Sequence, residues 1–182
     1  MKSVCVFCGS NAGADPSYAA GAKAFGRLLG DRGIDMVYGG GTLGLMGITA
    51  DAVLSAGGNV TGVIPRLLME REVGHTKINN LIVVETMHER KAEMAARADA
   101  FAVLPGGIGT MEEFFEIWSW AQLGYHRKPF GVLEINGYWA GLFGFLDRMA
   151  AQGFCSQSSR NLVHHETDPE KLLDTLIANA PR

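Results

Sequence analysis

Two segments of this sequence combine residue types that could do chemistry. In the first, Leu104-Pro105-Gly106-Gly107-Ile108-Gly109-Thr110-Met111-Glu112-Glu113, an apolar run ends in a glycine-rich turn followed by two carboxylates. Glycines at 106, 107 and 109 remove the Cβ atoms that would hold backbone N–H groups away from an anion. A helix starting there adds its unpaired donors and the positive end of its dipole. The natural occupant of such a turn is a phosphate. In the second segment, Met87-His88-Glu89-Arg90-Lys91, adjacent cations lie just beyond a strand-like run. Glu113 itself reads two ways. Thr110-Met111-Glu112-Glu113 has the spacing of a capping box, in which a hydroxyl caps a helix and a carboxylate three residues later reaches back to it. Placed beside a phosphate nest and opposite Arg90, the same carboxylate becomes a candidate for catalysis.

Two further glycine turns belong with these segments. Gly9-Ser10-Asn11-Ala12-Gly13 follows the first strand-like run. The second, Gly39-Gly40-Gly41-Thr42-Leu43-Gly44-Leu45-Met46-Gly47, matches a dinucleotide fingerprint only loosely, through Gly39, Gly41 and Gly44. It follows the second strand, and about 20 residues further on no acidic ribose anchor ends a strand. A mononucleotide site is easier to defend than a dinucleotide one.

The elements that must position these turns alternate strand and helix. Strands are predicted at Ser3–Cys8, Ile34–Tyr38, Asn59–Ile64, Leu81–Glu85, Ala100–Leu104, Phe130–Ile135 and Leu162–His165. Helices are predicted between them, with Asp15-Pro16 and Asp168-Pro169-Glu170 as starts. Met111, Phe114, Phe115, Trp118 and Ala121 mark one buried helix face, and Trp139, Leu142, Phe143, Leu146 and Met149 another. This order predicts a single Rossmann-like α/β domain over residues 1–182, a doubly wound, mostly parallel sheet of about seven strands with helices on both faces. The glycine turns after strands one, two and five then gather at one sheet edge. The least regular stretch, Arg66–Asn79, reads either as an active-site loop or as a solvated connection.

Composition narrows the function classes. The 182 residues are 47% hydrophobic and 19% charged, with a net charge of −3 and no clustered basic face, which argues against nucleic acid as a partner. No apolar run reaches the roughly 18 residues of a membrane span, and Met1-Lys2-Ser3-Val4 leads into a strand rather than a signal sequence, so a cytoplasmic protein is expected. The three cysteines suit a reducing compartment. Cys5 and Cys8 form a C-x-x-C, but on a strand they face opposite ways and read as core. His164 and His165, adjacent on a strand, are a poor metal pair, and neither metal nor cofactor is expected.

Taken together, these motifs resemble a known family. Pro105-Gly106-Gly107-Ile108-Gly109-Thr110-Met111-Glu112-Glu113 is similar to the P-G-G-x-G-T-x-x-E signature of the LOG ("lonely guy") cytokinin-activating proteins, once widely labelled lysine decarboxylases. Met87–Lys91 resembles the family's arginine-lysine segment, Tyr38–Met46-Gly47 its second glycine motif, and Cys8-Gly9-Ser10 its first turn. The resemblance runs to about Gly153. It implies a phosphoribohydrolase that cleaves the N-glycosidic bond of cytokinin riboside 5′-monophosphates, or of AMP, with Arg90 and Glu113 catalytic. It further implies substrate contacts at Gly9, Ser10, Gly40, Gly41, Gly44, Met46, Gly47, Glu72, Lys91, Gly106, Gly107, Gly109, Thr110, Glu112 and Ser119, and a homodimer. The alternative is a nucleotide-binding carrier or sensor that does no chemistry; the Arg90 and Glu113 pair favours the enzyme.

Overall fold

The computed structural model describes residues 1–69 and 74–181. Among them, strands β1 (Ser3–Phe7), β2 (Asp35–Tyr38), β3 (Val60–Pro65), β4 (Asn80–Val84), β5 (Ala100–Val103), β6 (Phe130–Leu133) and β7 (Val163–Glu166) form one sheet. Its order is β4-β3-β2-β1-β5-β6-β7, and every neighbouring pair is parallel. The helices are α1 (Pro16–Asp31), α2 (Gly44–Ser55), α3 (Met87–Arg97), α4 (Ile108–Gln122), α5 (Ala140–Ala151), the short α6 (Gln157–Arg160) and α7 (Pro169–Asn179). This is the doubly wound α/β architecture the strand–helix alternation predicts; α6 and a short 3-10 turn at Arg66–Leu68 have no counterpart in that reading. No helix among the described residues is long and apolar enough to cross a membrane.

The strands are apolar on both faces because helices cover both. Val4, Val6 and Cys8 pack into one core with Phe25 of α1, Val53 of α2 and Leu172 of α7. Cys5 and Phe7 pack into the other with Met94 of α3, Phe114 and Trp118 of α4, and Phe143 of α5. Cys5 and Cys8 thus lie on opposite faces, and all three cysteines are buried thiols. On α4, Ile117 takes the buried position expected of Phe115, whose side is 38% exposed.

From β1 the chain steps outward to β4, then returns to β5 on the other side of β1. That reversal makes the β1–β5 boundary the switch point of the sheet, where the following loops diverge and leave a crevice. The turns after β1 and β5 face each other there, and the Gly9 amide donates to the Pro105 carbonyl at 3.0 Å. A side chain on either turn would separate them: a Cβ on Gly106 would stand 2.8 Å from the Gly9 nitrogen and 2.1 Å from the Thr110 hydroxyl.

The expected caps of α1 and α7 are present: Asp15 accepts from the Ser17 amide and Asp168 from the Glu170 amide, both at 2.8 Å. The capping box expected at Thr110–Glu113 is absent. Gly107 occupies the N-cap of α4 and no side chain caps it, so Thr110 is already in the first turn and buried. The capping box stands instead at α3, where Thr86 accepts from the Glu89 amide at 3.1 Å and Glu89 accepts from the Thr86 amide at 3.2 Å. Both stretches carry T-x-x-E. The choice fell to the one preceded by extended backbone, because the glycine turn carries the chain into α4 three residues before Thr110.

Candidate active site

A cleft of about 650 Å³ opens at the switch point. Of the residues singled out from sequence, Gly9, Ser10, Met46, Arg90, Gly106, Gly107, Gly109, Thr110, Glu112 and Glu113 line it. Gly40, Gly41, Gly44, Gly47, Lys91 and Ser119 do not line it, and Glu72 lies outside the described residues. Tyr18, Leu68 and Tyr138 also line the cleft. Sequence reasoning missed these three because no local pattern separates a cleft-lining tyrosine or leucine from a core one.

The two helix starts at this edge differ in what their amides do. At α2 the Leu45 and Met46 amides both donate to the Gly9 carbonyl, at 2.9 and 3.3 Å. Those donors hold the β1 turn and are not open to an anion. Gly44 permits the contact: its φ is +62°, and a Cβ there would lie 2.3 Å from the Ser10 carbonyl carbon. Gly40 accepts from the His75 amide at 2.8 Å, and Gly41 bridges Gly74. The second glycine cluster therefore works through close backbone packing. At α4, by contrast, the first-turn amides meet no capping side chain. A helix leaves its first four N–H groups without an intrahelical acceptor, and here they border the cleft. These uncapped amides are the feature of the opening motif that could receive an anion.

Arg90 is 4% exposed, unusually low for an arginine. Its Nε donates to the Val63 carbonyl at 3.1 Å and its Nη2 to the Gly39 carbonyl at 2.8 Å, which ties α3 to the ends of β3 and β2. Nη1 lies 3.9 Å from the Met87 sulfur. Those carbonyls fix the guanidinium in the cleft wall. Glu113 is half-buried one turn beyond Thr110 and lines the same cleft. Both charges reach Cys5 on β1. Burial pushes the Cys5 thiol well up, the Glu113 carboxylate adds to that shift and Arg90 opposes it. Cys8, in the cleft floor, is likewise raised by burial and by Glu113, against a hydrogen bond with Thr49. Both shifts favour the protonated thiol over the thiolate.

Lys91 follows Arg90 in sequence but does not line the cleft. Its ammonium is bonded to Glu112 and, at 2.8 Å, to Glu116, and so clamps α3 to α4. Burial lowers its pKa, but the two carboxylates outweigh that and hold it above its ordinary value. Ser119 is exposed on α4. His75, in the irregular stretch Arg66–Asn79, is 3% exposed, with Nε2 3.1 Å from an Asp51 carboxylate oxygen. Among the described residues no group of three or more histidine, cysteine, aspartate or glutamate side chains could hold a metal ion.

A parallel sheet with a glycine-lined cleft at its switch point defines a class, the Rossmann-like α/β proteins that take small ligands at the carboxyl ends of their strands. Solved structures agree on the fold. The molybdenum cofactor binding protein of Rippkaea orientalis superposes with a TM-score of 0.73 at 20% identity, over 98% of this chain and 97% of that one. The molybdenum cofactor carrier protein of Chlamydomonas reinhardtii gives 0.71 at 22%, over 98% and 99%. The family described as "Possible lysine decarboxylase" matches residues 46–176. The cytokinin riboside 5′-monophosphate phosphoribohydrolase LOG7 of Arabidopsis thaliana is 47% identical over 181 residues, covering 100% of this chain and 83% of the relative. LOG1 of the same plant, a protein of the same description, is 45% identical over 182 residues, covering 100% and 85%. The chain belongs to the LOG family.

Proposed function

We propose that this protein is a phosphoribohydrolase acting on cytokinin riboside 5′-monophosphates and on AMP. One observation carries the reading: uncapped helix amides, a buried arginine and a carboxylate line a single cleft, in a chain that shares nearly half its residues with proteins named for that activity.

The 5′-phosphate rests on the amides at the start of α4, where the helix dipole favours it. Breaking the ribosyl C–N bond puts positive charge on C1′ and the ring oxygen, and a carboxylate aimed at that charge stabilises the transition state. Glu113 is that carboxylate and also orients the attacking water. The water oxygen bonds to C1′ and the water gives up a proton, the C–N electron pair leaves with the base, and the base nitrogen takes up a proton in exchange, giving free base and ribose 5-phosphate. Arg90 supplies a fixed positive charge for phosphate or ribose oxygens. Leu45, Leu68, Met87 and Ile108 give the cleft apolar surface suited to a purine and a prenyl substituent. Lysine decarboxylation finds no support at Lys91, since a Schiff-base lysine must shed its proton and the carboxylates retain it. We further infer a homodimer, supported by exposed apolar Tyr125, Phe145 and Phe154, and a cytoplasmic location, supported by the three free thiols.

The test is incubation of the pure protein with AMP and, separately, with isopentenyladenosine 5′-monophosphate, with chromatography of the products. Free base and ribose 5-phosphate in equal amounts are expected. Tight binding of both nucleotides without base release would replace the enzyme by a carrier or sensor.

A further inference from the structure

Three consecutive carbonyls of the turn after β5 are each held by a donor from the protein. Pro105 accepts from the Gly9 amide at 3.0 Å and Gly107 from the Met111 amide at 3.1 Å, so backbone holds the two outer peptides. The middle one is held by a side chain: the Tyr138 hydroxyl donates to the Gly106 carbonyl at 2.5 Å. A trans peptide is planar, with its C=O and the following N–H pointing in opposite directions. Whatever fixes the Gly106 carbonyl therefore also aims the Gly107 N–H. That peptide lies between two glycines, whose wide φ/ψ range makes it the freest unit of the turn to rotate.

Tyr138 is itself firmly placed. It follows Asn136 and Gly137, both in the left-handed region with φ of 52° and 72°, which turn the chain sharply between β6 and α5. The Asn136 amide group donates to the Asp15 carboxylate at 2.8 Å, and the Tyr138 amide donates to the Ile135 carbonyl at 3.1 Å. Its ring meets Tyr18 and Trp139 edge-on, at centroid distances of 5.6 and 4.8 Å. An element that contributes nothing else to the site thus delivers one hydroxyl to the turn.

We propose that Tyr138 is a positioning residue for phosphate recognition: by holding the Gly106 carbonyl it locks the Gly106–Gly107 peptide with the Gly107 N–H presented to the 5′-phosphate. The proposal rests on reading this turn as the phosphate site. Tyr138→Phe keeps the ring and its edge contacts and removes only the hydroxyl.

Calorimetric titration of wild type and Tyr138→Phe with ribose 5-phosphate and with adenosine, together with steady-state kinetics on AMP, tests it. Losing one hydrogen bond that orders a binding donor is expected to raise the ribose 5-phosphate Kd and the AMP KM about 5- to 20-fold, with kcat within about twofold. Adenosine affinity and the urea unfolding midpoint stay at wild-type values. Equal ribose 5-phosphate affinity in the two proteins overturns the proposal and leaves the proposed activity standing. A lower unfolding midpoint with kcat and KM both impaired also overturns it, and makes Tyr138 a structural residue. Failure of the wild type to bind either ribose 5-phosphate or AMP refutes the phosphate site itself, and the role of Tyr138 falls with it.

Discussion

Gly39→Ala tests the seat of Arg90 without touching Arg90. Gly39 directly follows β2, its φ lies outside the left-handed region, and alanine is compatible with its backbone. What alanine cannot do is share space with the guanidinium: its Cβ would stand 1.9 Å from Arg90 Nη2 and 3.0 Å from Cζ. Ordinary contact begins near 3.4 Å, so Nη2 must retreat by about 1.5 Å (3.4 less 1.9). That retreat breaks the 2.8 Å bond to the Gly39 carbonyl and disturbs the one to Val63. The lost charge-assisted bond costs about 1.5–3 kcal/mol of stability. Displacement of a catalytic group by about 1 Å costs on the order of 100-fold in turnover. The expected result is a folded protein whose kcat/KM for base release from AMP falls about 100-fold, read by chromatography, alongside a modest loss in urea unfolding. A folded Gly39→Ala with kcat/KM within threefold of wild type would refute the claim that the buried seat of Arg90 matters to the chemistry. Arg90→Ala is a poorer probe, because it also strips two buried carbonyls of their donor and so lowers stability by roughly 2–4 kcal/mol.

Three further outcomes follow from the same geometry. Glu113→Gln abolishes detectable release of adenine from AMP while its unfolding curve stays close to wild type, because glutamine keeps the size of the side chain and no side chain caps the start of α4; a large drop in stability would contradict that. Thr86→Ala removes the capping box of α3 and lowers the unfolding free energy by about 1 kcal/mol, measured in urea. Asp99 accepts from the Lys2 amide at 2.6 Å and the Ser3 amide at 3.1 Å. The Lys2 hydrogen bond is the main reason its carboxyl lies below the ordinary range; burial opposes the shift, and the Ser3 amide and nearby positive charges add to it. Since the folded pKa is depressed, the stabilisation is fully present above the unfolded value near 3.9 and is lost as pH falls through the folded one. Asp99→Asn should therefore cost about 1 kcal/mol at pH 7, and the gap to wild type should close as the pH is lowered from about 5 towards 2.

Much of the molecule is local, and the sequence determined that part by itself. Apolar runs of strand length separated by helical periods define a parallel doubly wound sheet, since such strands are buried on both faces and leave no alternation to misread. The Gly106–Thr110 turn reads as a candidate anion site because glycines before a helix remove the Cβ atoms that would keep a ligand from its amides. Motif spacing marks Arg90 and Glu113 as candidates, and the resemblance to the LOG family supplies the catalytic roles proposed for them. The tertiary structure decided what depends on partners distant in the chain. It made the α4 amides border the cleft and occupied the α2 amides with the Gly9 carbonyl, though both helices open with glycine clusters. It put the capping box at Thr86 rather than Thr110, and gave the ammonium of Lys91 to Glu112 and Glu116. It also brought the Tyr138 hydroxyl to Gly106 across 32 residues and Arg90 to Gly39 across 51. A residue's type fixes which bonds it can make; only the fold fixes which acceptor it meets, because hydrogen bonds form within about 3 Å and sequence carries no such distances.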